Sequence, residues 1–132
     1  MIGIVLVSHS QKLVEGLLEL VTQLGGGRVP VAIAGGGPQG ELGTSAEKIR
    51  DAILAVASQD GVLILADLGS AVLNSEMAIE LLPSPPPGPI RLSSAPLVEG
   101  AIVAVLQAGL GQNLNEVLEA IEVARHFPKN LD

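Results

Sequence analysis

The stretch that decides the fold is Ile2-Gly3-Ile4-Val5-Leu6-Val7-Ser8-His9-Ser10. Its first six residues are mostly β-branched or aliphatic and carry no charge, which is typical of a parallel strand buried on both faces. Apolar residues then recur at helical spacing over positions 13–24, with polar residues between them, which predicts an amphipathic helix. The polar tripeptide between strand and helix is therefore predicted to form a tight turn.

His9 lies in this predicted turn. In open α/β sheets such turns lie at the carboxyl edge of the strands, where ligands bind and helix N-termini offer unpaired N–H groups to anions. A histidine at that edge is placed for chemistry, although a loop histidine that is only solvated or hydrogen-bonded is the commoner case. The second histidine, His126, follows the last predicted helix, and we expect it to interact with the negative end of that helix.

The composition limits the class of function. The chain has 132 residues, 48% of them hydrophobic, which fits one compact domain over residues 1–132. A net charge of -7 and the lack of a basic cluster argue against nucleic acid or a membrane as partner. The absence of cysteine excludes disulfides, thiolate metal sites and thiol nucleophiles. With no targeting segment before the first strand and no apolar run near the ~18 residues that span a bilayer, we expect a cytoplasmic protein.

Three further apolar segments are predicted to be strands, and they alternate with predicted helices. They cover residues 29–34, 61–66 and 90–94. Pro30 cannot donate to a sheet ladder, so the second strand should start or lie at an edge of the sheet. Right-handed crossovers then give an α/β fold, an open parallel four-stranded sheet of order 2-1-3-4 with helices on both faces.

The predicted helices carry three further expectations. Thr44 and Glu47 have the spacing of a capping box at the start of the second helix. Asp67 or Ser70 is expected to be the N-cap of the third helix. The helix over residues 96–108 is apolar almost all round, so we expect a second copy of the chain to cover its outer side in a homodimer.

Asp67 follows the third strand as His9 follows the first. In the order 2-1-3-4 these two strands are neighbours about 4.8 Å apart, so the carboxylate and the imidazole should meet. A carboxylate there can hold the proton on one imidazole nitrogen and leave the other free to attack. Hydroxyl and N–H donors around such an imidazole suit a phosphoryl group. The candidate phosphate-binding residues are Ser8, Ser10, Gly69 and Ser70.

The sequence offers no phosphate-binding lysine loop and no aspartate pair for magnesium, so we expect no metal ion, no cofactor and no binding of ATP by this chain alone. The triplet Gly35-Gly36-Gly37 could cradle a phosphate, but it lacks the strand–GxxxxGK[ST]–helix arrangement, which favours a flexible exit loop. These features together predict a domain that takes a phosphoryl group from one protein and gives it to another.

Four separated motifs carry a resemblance to a known family. They are residues 4–10 (Ile-Val-Leu-Val-Ser-His-Ser), Gly43-Thr44, residues 62–71 and residues 95–100. They resemble the phosphotransfer-subunit family (DhaM) of phosphoenolpyruvate-dependent dihydroxyacetone kinase, whose domain is similar to the mannose-type enzyme IIA domain. The match covers roughly residues 1 to 110 in one register, and four motifs in agreement make it specific.

The resemblance implies a phosphohistidine carrier. It implies that the phosphocarrier HPr phosphorylates His9 and that the phosphoryl group passes to ADP on the DhaL subunit. The DhaK subunit then presents dihydroxyacetone as the final acceptor. Asp67 matches the acidic residue that pairs with the active histidine in mannose-type domains. The family is dimeric, but the helical C-terminus of this chain differs from the mannose-type pattern, in which an exchanged strand completes the dimer.

Three alternative functions stay open. A mannose-type sugar phosphotransferase IIA component would use the same histidine with another acceptor. A phosphatase or hydrolase would use Ser8 or Ser10 with His9, although the sequence lacks the G-x-S-x-G nucleophile elbow. A non-enzymatic small-ligand-binding α/β domain would use the glycine loops without phosphorylation of His9.

Overall fold

The computed structural model describes residues 1–25 and 27–129. The strands are β1 (Gly3–Ser8), β2 (Val31–Gly35), β3 (Val62–Ala66) and β4 (Ile90–Ser93). The helices are α1 (Gln11–Gly25), α2 (Ala46–Val56), α3 (Gly69–Glu80), α4 (Leu97–Gly109) and α5 (Leu114–Ala124). All strand pairs are parallel and the sheet order is β2-β1-β3-β4, which confirms the predicted topology.

Pro30 stands immediately before β2, at the edge of the sheet, as its missing N–H requires. Its carbonyl oxygen still takes part in the ladder, because it accepts a hydrogen bond of 2.9 Å from the backbone N–H of Ile4. The proline therefore starts the edge strand without leaving a buried donor unpaired.

Two apolar layers cover the two faces of the sheet. Alternate residues of β1 point to opposite sides, so that Ile4 and Leu6 pack with α1, α4 and α5. Val5 and Val7 pack with α2 and α3. All six residues of β1 are buried, which explains the uncharged run in the sequence. Among the described residues, no helix combines the length and the apolar character that a membrane crossing requires.

The start of α2 differs from the sequence prediction. Ser45, not Thr44, is the N-cap of α2, and its hydroxyl accepts a hydrogen bond of 3.2 Å from the backbone N–H of Lys48. Helix α2 begins one residue later than the pattern suggested, so Glu47 is too close to the cap to complete a capping box. The hydroxyl of Thr44 instead accepts a hydrogen bond from the side-chain amide of Asn74 on α3.

Helix α4 is covered within the chain more completely than its sequence predicted. It packs against β1 and β3 and also contacts α1 and α5, so neighbouring helices cover its flanks. This coverage of the flanks by α1 and α5 was not predicted from the sequence. An apolar strip still faces outward, since Val98 and Leu106 are 44% and 46% exposed.

Gly3 permits a close approach of α2 to the sheet. A Cβ atom at this position would lie 2.4 Å from the carbonyl oxygen of Val56, and backbone cannot move aside as a flexible side chain does. We predict that Gly3→Ala lowers the free energy of unfolding by about 1–3 kcal/mol, as overpacking does, in urea denaturation.

Gly16 provides the matched control. It lies on the exposed side of α1, where an added Cβ would meet no atom within 4 Å. Gly16→Ala should raise the free energy of unfolding by about 0.5–1 kcal/mol, because alanine loses less backbone entropy in a helix. Equal effects of the two substitutions would contradict the close packing of α2 on β1.

Candidate active site

The pairing of β1 with β3 brings the two predicted site residues together. Val7 and Ala66 are partners in the register, and the backbone N–H of Asp67 donates to the carbonyl oxygen of Val7 at 3.2 Å. His9 and Asp67 therefore leave the sheet side by side. The imidazole Nδ1 of His9 lies 2.9 Å from Oδ1 of Asp67. The predicted contact between imidazole and carboxylate is present in the structure.

The carboxylate of Asp67 accepts four hydrogen bonds. Its Oδ1 accepts from His9 Nδ1 and, at 2.7 Å, from the backbone N–H of Leu68. Its Oδ2 accepts from the Ser8 hydroxyl at 2.9 Å and from the backbone N–H of His9 at 3.0 Å. Partial burial raises the pKa of Asp67, but these hydrogen bonds together lower the pKa below its ordinary value of 3.8. Asp67 is therefore a carboxylate at neutral pH and can act as the acceptor for Nδ1–H.

The other imidazole nitrogen faces the start of α3. Nε2 of His9 contacts the hydroxyl of Ser70, and the histidine side chain is 26% exposed. The N-cap of α3 is Leu68, which makes no side-chain cap, so the expectation that Asp67 or Ser70 caps this helix was wrong. The Asp67 carboxylate is turned towards His9 instead. Because no side chain caps α3, the N–H group of Gly69 at its start is available to an anion, whereas that of Ala71 already donates to the carbonyl oxygen of Leu68.

A cavity of about 490 Å³ opens beside His9 on the side of α1. Ser10 lines it, and its hydroxyl accepts a hydrogen bond of 3.2 Å from the backbone N–H of Leu13, as the N-cap of α1 would. Lys12 is the one cationic side chain in the lining. The full lining consists of His9, Ser10, Gln11, Lys12, Glu15, Gly40, Glu41 and Leu42.

Ser8, a candidate phosphate-binding residue in the sequence analysis, does not line the cavity. Its side chain is fully buried and is not part of the cavity lining. Its hydroxyl donates to Asp67 and accepts from the backbone N–H of Ser10 at 3.0 Å. Of the four candidate phosphate-binding residues, Ser70 contacts Nε2, Gly69 is the first residue of α3, Ser10 lines the cavity, and Ser8 is buried in the interior.

The glycine-rich loop after β2, which the sequence analysis interpreted as an exit loop rather than a phosphate cradle, is hydrogen-bonded to the turn that bears His9. The backbone N–H of Gly43 donates to the carbonyl oxygen of His9 at 3.0 Å, and that of Gly36 donates to Ser8 at 3.1 Å. Gly35 allows α1 to pass close by, because a Cβ there would lie 2.7 Å from Cα of Gln11. Gly36 and Gly43 have positive φ values, 75° and 145°, a backbone conformation that glycine adopts more readily than other residues.

Metal-binding side chains do not gather at this site. Within residues 1–25 and 27–129, no three histidine, aspartate or glutamate side chains come close enough together to hold an ion. Asp67, the acidic residue nearest the imidazole, is engaged in the four hydrogen bonds described above.

The lowered pKa of Asp67 gives a pH-dependent contribution to stability. A carboxylate with a lowered pKa in the folded state stabilises the fold above its ordinary pKa, and this contribution is lost as the pH falls through the folded-state pKa. We predict that Asp67→Asn lowers the free energy of unfolding near pH 7 by about 1–3 kcal/mol, as expected for hydrogen bonds to a charged group. In urea denaturation, the difference in the free energy of unfolding between the Asp67→Asn variant and the unmodified protein should become smaller as the pH falls below about 4.

Asp51→Asn is the control for this measurement. Asp51 is an exposed carboxylate on α2, and its substitution should change the free energy of unfolding by less than about 0.5 kcal/mol. A stability difference between the Asp67→Asn variant and the unmodified protein that stays constant from neutral to acidic pH would contradict the assignment.

Comparison with known proteins identifies the family of this chain. The family model described as "PTS system fructose IIA component" (EIIA-man) matches residues 3–121. The chain is 43% identical over 121 residues to the phosphoryl donor subunit DhaM of PEP-dependent dihydroxyacetone kinase from Escherichia coli K12. That alignment covers 89% of this chain but 26% of the relative, so the chain spans about a quarter of its length. With the DhaM subunit of kinase 2 from Listeria innocua the identity is 40%, over 92% of this chain and 97% of the relative.

Solved structures agree with this result. The crystal structure of the unknown-function protein EF1359 has a TM-score of 0.81 and 34% identity, and the match covers 100% of this chain and 99% of that one. The phosphotransferase system component EIIA from Streptococcus agalactiae has a TM-score of 0.70 at 20% identity, covering 96% and 93%, which supports the mannose-type IIA fold alone. The chain belongs to the EIIA-man family and, within it, to the DhaM-type phosphotransfer subunits.

Proposed function

We propose that this chain is a phosphohistidine carrier that accepts a phosphoryl group from HPr on His9. It then passes the group to ADP bound on a DhaL subunit, for phosphorylation of dihydroxyacetone presented by DhaK. The observation that carries the proposal is the imidazole geometry, with Nδ1 against the Asp67 carboxylate and Nε2 at the uncapped start of α3. The names of the DhaM relatives support the choice of dihydroxyacetone kinase as the system.

The hydrogen bond between His9 and Asp67 supports Nε2 as the reacting atom. The Asp67 carboxylate accepts the proton of Nδ1, so the lone pair of the neutral imidazole lies on Nε2. In the forward step Nε2 attacks the phosphorus of the donor phosphohistidine, the Nε2–P bond forms, and the P–N bond to the donor imidazole breaks. The cationic phosphoimidazole that results is stabilised by the negative charge of Asp67.

The surroundings of Nε2 suit the transferred group. The Ser70 hydroxyl and the first N–H groups of α3 can donate hydrogen bonds to phosphoryl oxygens. In the second step an oxygen of the β-phosphate of ADP attacks the phosphorus, the Nε2–P bond breaks, and neutral His9 is restored. Because both steps use the same atom and the same donors, one site serves both the donor and the acceptor.

A sugar-specific IIA component is the second candidate, and the description of the matching family model as a fructose IIA component favours it. The His9 chemistry would be the same, and only the acceptor would differ. Incubation of the phosphorylated chain with DhaL and ADP, or with a sugar-specific IIB protein, distinguishes the two. We expect loss of the phosphoryl group to DhaL and ADP.

We predict that His9→Ala abolishes phosphorylation. Intact mass should show one phosphoryl group added to the unmodified protein after incubation with phosphoenolpyruvate, enzyme I and HPr, and none on the variant. His126→Ala is the matched control and should still gain one group, because His126 is exposed after α5, outside the site. NMR of the phosphorylated protein should place the phosphorus on Nε2. A phosphorylated His9→Ala variant, or phosphorus on Nδ1, would contradict the assignment.

We also propose that the chain forms a homodimer through the outward strip of α4. The strip is apolar and about half exposed, and it extends to Leu110, which is 75% exposed just after the helix. Leu106 points outward, whereas Val103 is partly buried against the core, so Leu106 is the position to test.

Leu106→Lys is predicted to yield a monomer, because it would bury an unpaired charge in the interface. Sedimentation equilibrium at micromolar concentration measures the change. Leu73→Lys is the control, since Leu73 is exposed on α3, on the opposite face of the sheet, and its substitution should leave the dimer intact. A monomeric unmodified protein would rule out the proposal.

A further inference from the structure

Ser8 is a fully buried polar residue that the proposed reaction does not use. It is the last residue of β1, and its side chain has no exposed surface. A serine hydroxyl carries one proton to donate, and this proton is directed to Oδ2 of Asp67 at 2.9 Å. A lone pair of the same oxygen accepts the backbone N–H of Ser10 at 3.0 Å. The hydroxyl therefore has no proton left for a phosphoryl group, and its contacts point to another role.

The contact with Ser8 restricts the rotation of the Asp67 carboxylate. The terminal torsion of an aspartate is broad, so a carboxylate held at one oxygen can turn. Here Oδ1 binds His9 Nδ1, while Oδ2 is held from the opposite side by the Ser8 hydroxyl and the His9 backbone N–H. Of these donors, Ser8 contributes a side chain that is not hydrogen-bonded to the imidazole. Its removal would leave Oδ2 with the backbone N–H of His9, so the carboxylate would be held less firmly while the hydrogen bond between Oδ1 and the imidazole would remain.

The second hydrogen bond of Ser8 anchors this arrangement to α1. The backbone N–H of Ser10 donates to Ser8, and the hydroxyl of Ser10 accepts from Leu13 in the first turn of α1. His9 lies between Ser8 and Ser10. The hydroxyl oxygen of Ser8 thus joins the Asp67 carboxylate to the turn that bears His9 and, through Ser10, to the start of α1.

We propose that Ser8 is a positioning residue that orients Asp67, so that Asp67 keeps the proton on Nδ1 and leaves Nε2 as the nucleophile. The inference rests on the proposed phosphorylation of His9. Ser8 itself does not touch the phosphoryl group or the partner protein, and it acts only through the carboxylate.

Rapid-quench kinetics of phosphoryl transfer from phosphorylated HPr provide the test. Ser8→Ala should lower kcat about tenfold, the order of loss expected when one hydrogen bond to a charged group is removed. KM for HPr should stay unchanged, because the residue is buried away from the surface. Ser8→Thr keeps the hydroxyl and should restore most of the rate. Ser75→Ala is the matched control, since Ser75 is also fully buried but donates to Ala71 within α3, and it should leave the rate unchanged.

Two measurements separate positioning from a structural effect. Loss of the Ser8 hydrogen bond to the charged form should raise the pKa of the Asp67 carboxyl, as followed by carbon NMR in the folded variant. In an Asp67→Asn background, Ser8→Ala should change the rate little further, because both substitutions disable the same contact. If Ser8→Ala does not fold, Ser8→Cys keeps the volume with a much weaker donor and should show the same loss of rate.

The results that would overturn the positioning role of Ser8 differ from those that would overturn the proposed function. An unmodified protein that gains no phosphoryl group on His9 would overturn the proposed function. A phosphorylated protein in which Ser8→Ala or Ser8→Cys transfers at the unmodified rate would overturn the positioning role alone. Additive effects of Ser8→Ala and Asp67→Asn would also overturn it, since they would mean that Ser8 acts independently of the carboxylate.

Discussion

The parallel pairing of β1 with β3 is the constraint on which the site depends. His9 and Asp67 are 58 positions apart in the chain, yet each follows directly on a strand of this pair. A slip of the register by one residue would shift Asp67 by about 3.3 Å and turn its side chain to the other face of the sheet. The buried apolar residues on both faces of β1 and β3 prevent such a slip, so the hydrophobic core fixes the geometry of the polar site.

The site at the carboxyl ends of β1 and β3 must also accommodate negative charge. The chain has a net charge of -7, and in the proposed reaction a phosphoryl group would add more negative charge beside the ionised Asp67. Lys12 is the one cationic side chain lining the adjacent cavity. Backbone N–H groups at the start of α3 and the Ser70 hydroxyl supply the compensating partial positive charge. Neutral donors of this kind would hold a phosphoryl group more weakly than a cluster of lysines, which would suit the proposed role of a carrier that releases it.

The sequence predicted the features that depend on local pattern. Uncharged apolar runs identified the strands, Pro30 identified the edge, and the order of strands brought Asp67 to His9. Features that depend on atomic detail were not predictable in this way. Adjacent hydroxyl residues at 44 and 45 made the cap of α2 ambiguous, and the coverage of α4 by α1, which lies far away in the sequence, is a long-range packing result. The inward direction of the Ser8 hydroxyl is a third such feature. It depends on the position of Ser8 on the pleated strand β1 and on Asp67 beside it.

The glycine-rich loop has a consequence for the variation that this fold can tolerate. Its two ends are fastened to the backbone carbonyl groups of Ser8 and His9, through Gly36 and Gly43. Between these points the loop extends into solvent and carries the exposed Leu42 beside the cavity. Changes of length or side chain between the two anchors would alter the surface beside the cavity, while the hydrogen bonds at the anchors would still hold the turn that bears His9. The loop would thus allow recognition of the proposed partners to vary while the proposed chemistry at His9 is kept.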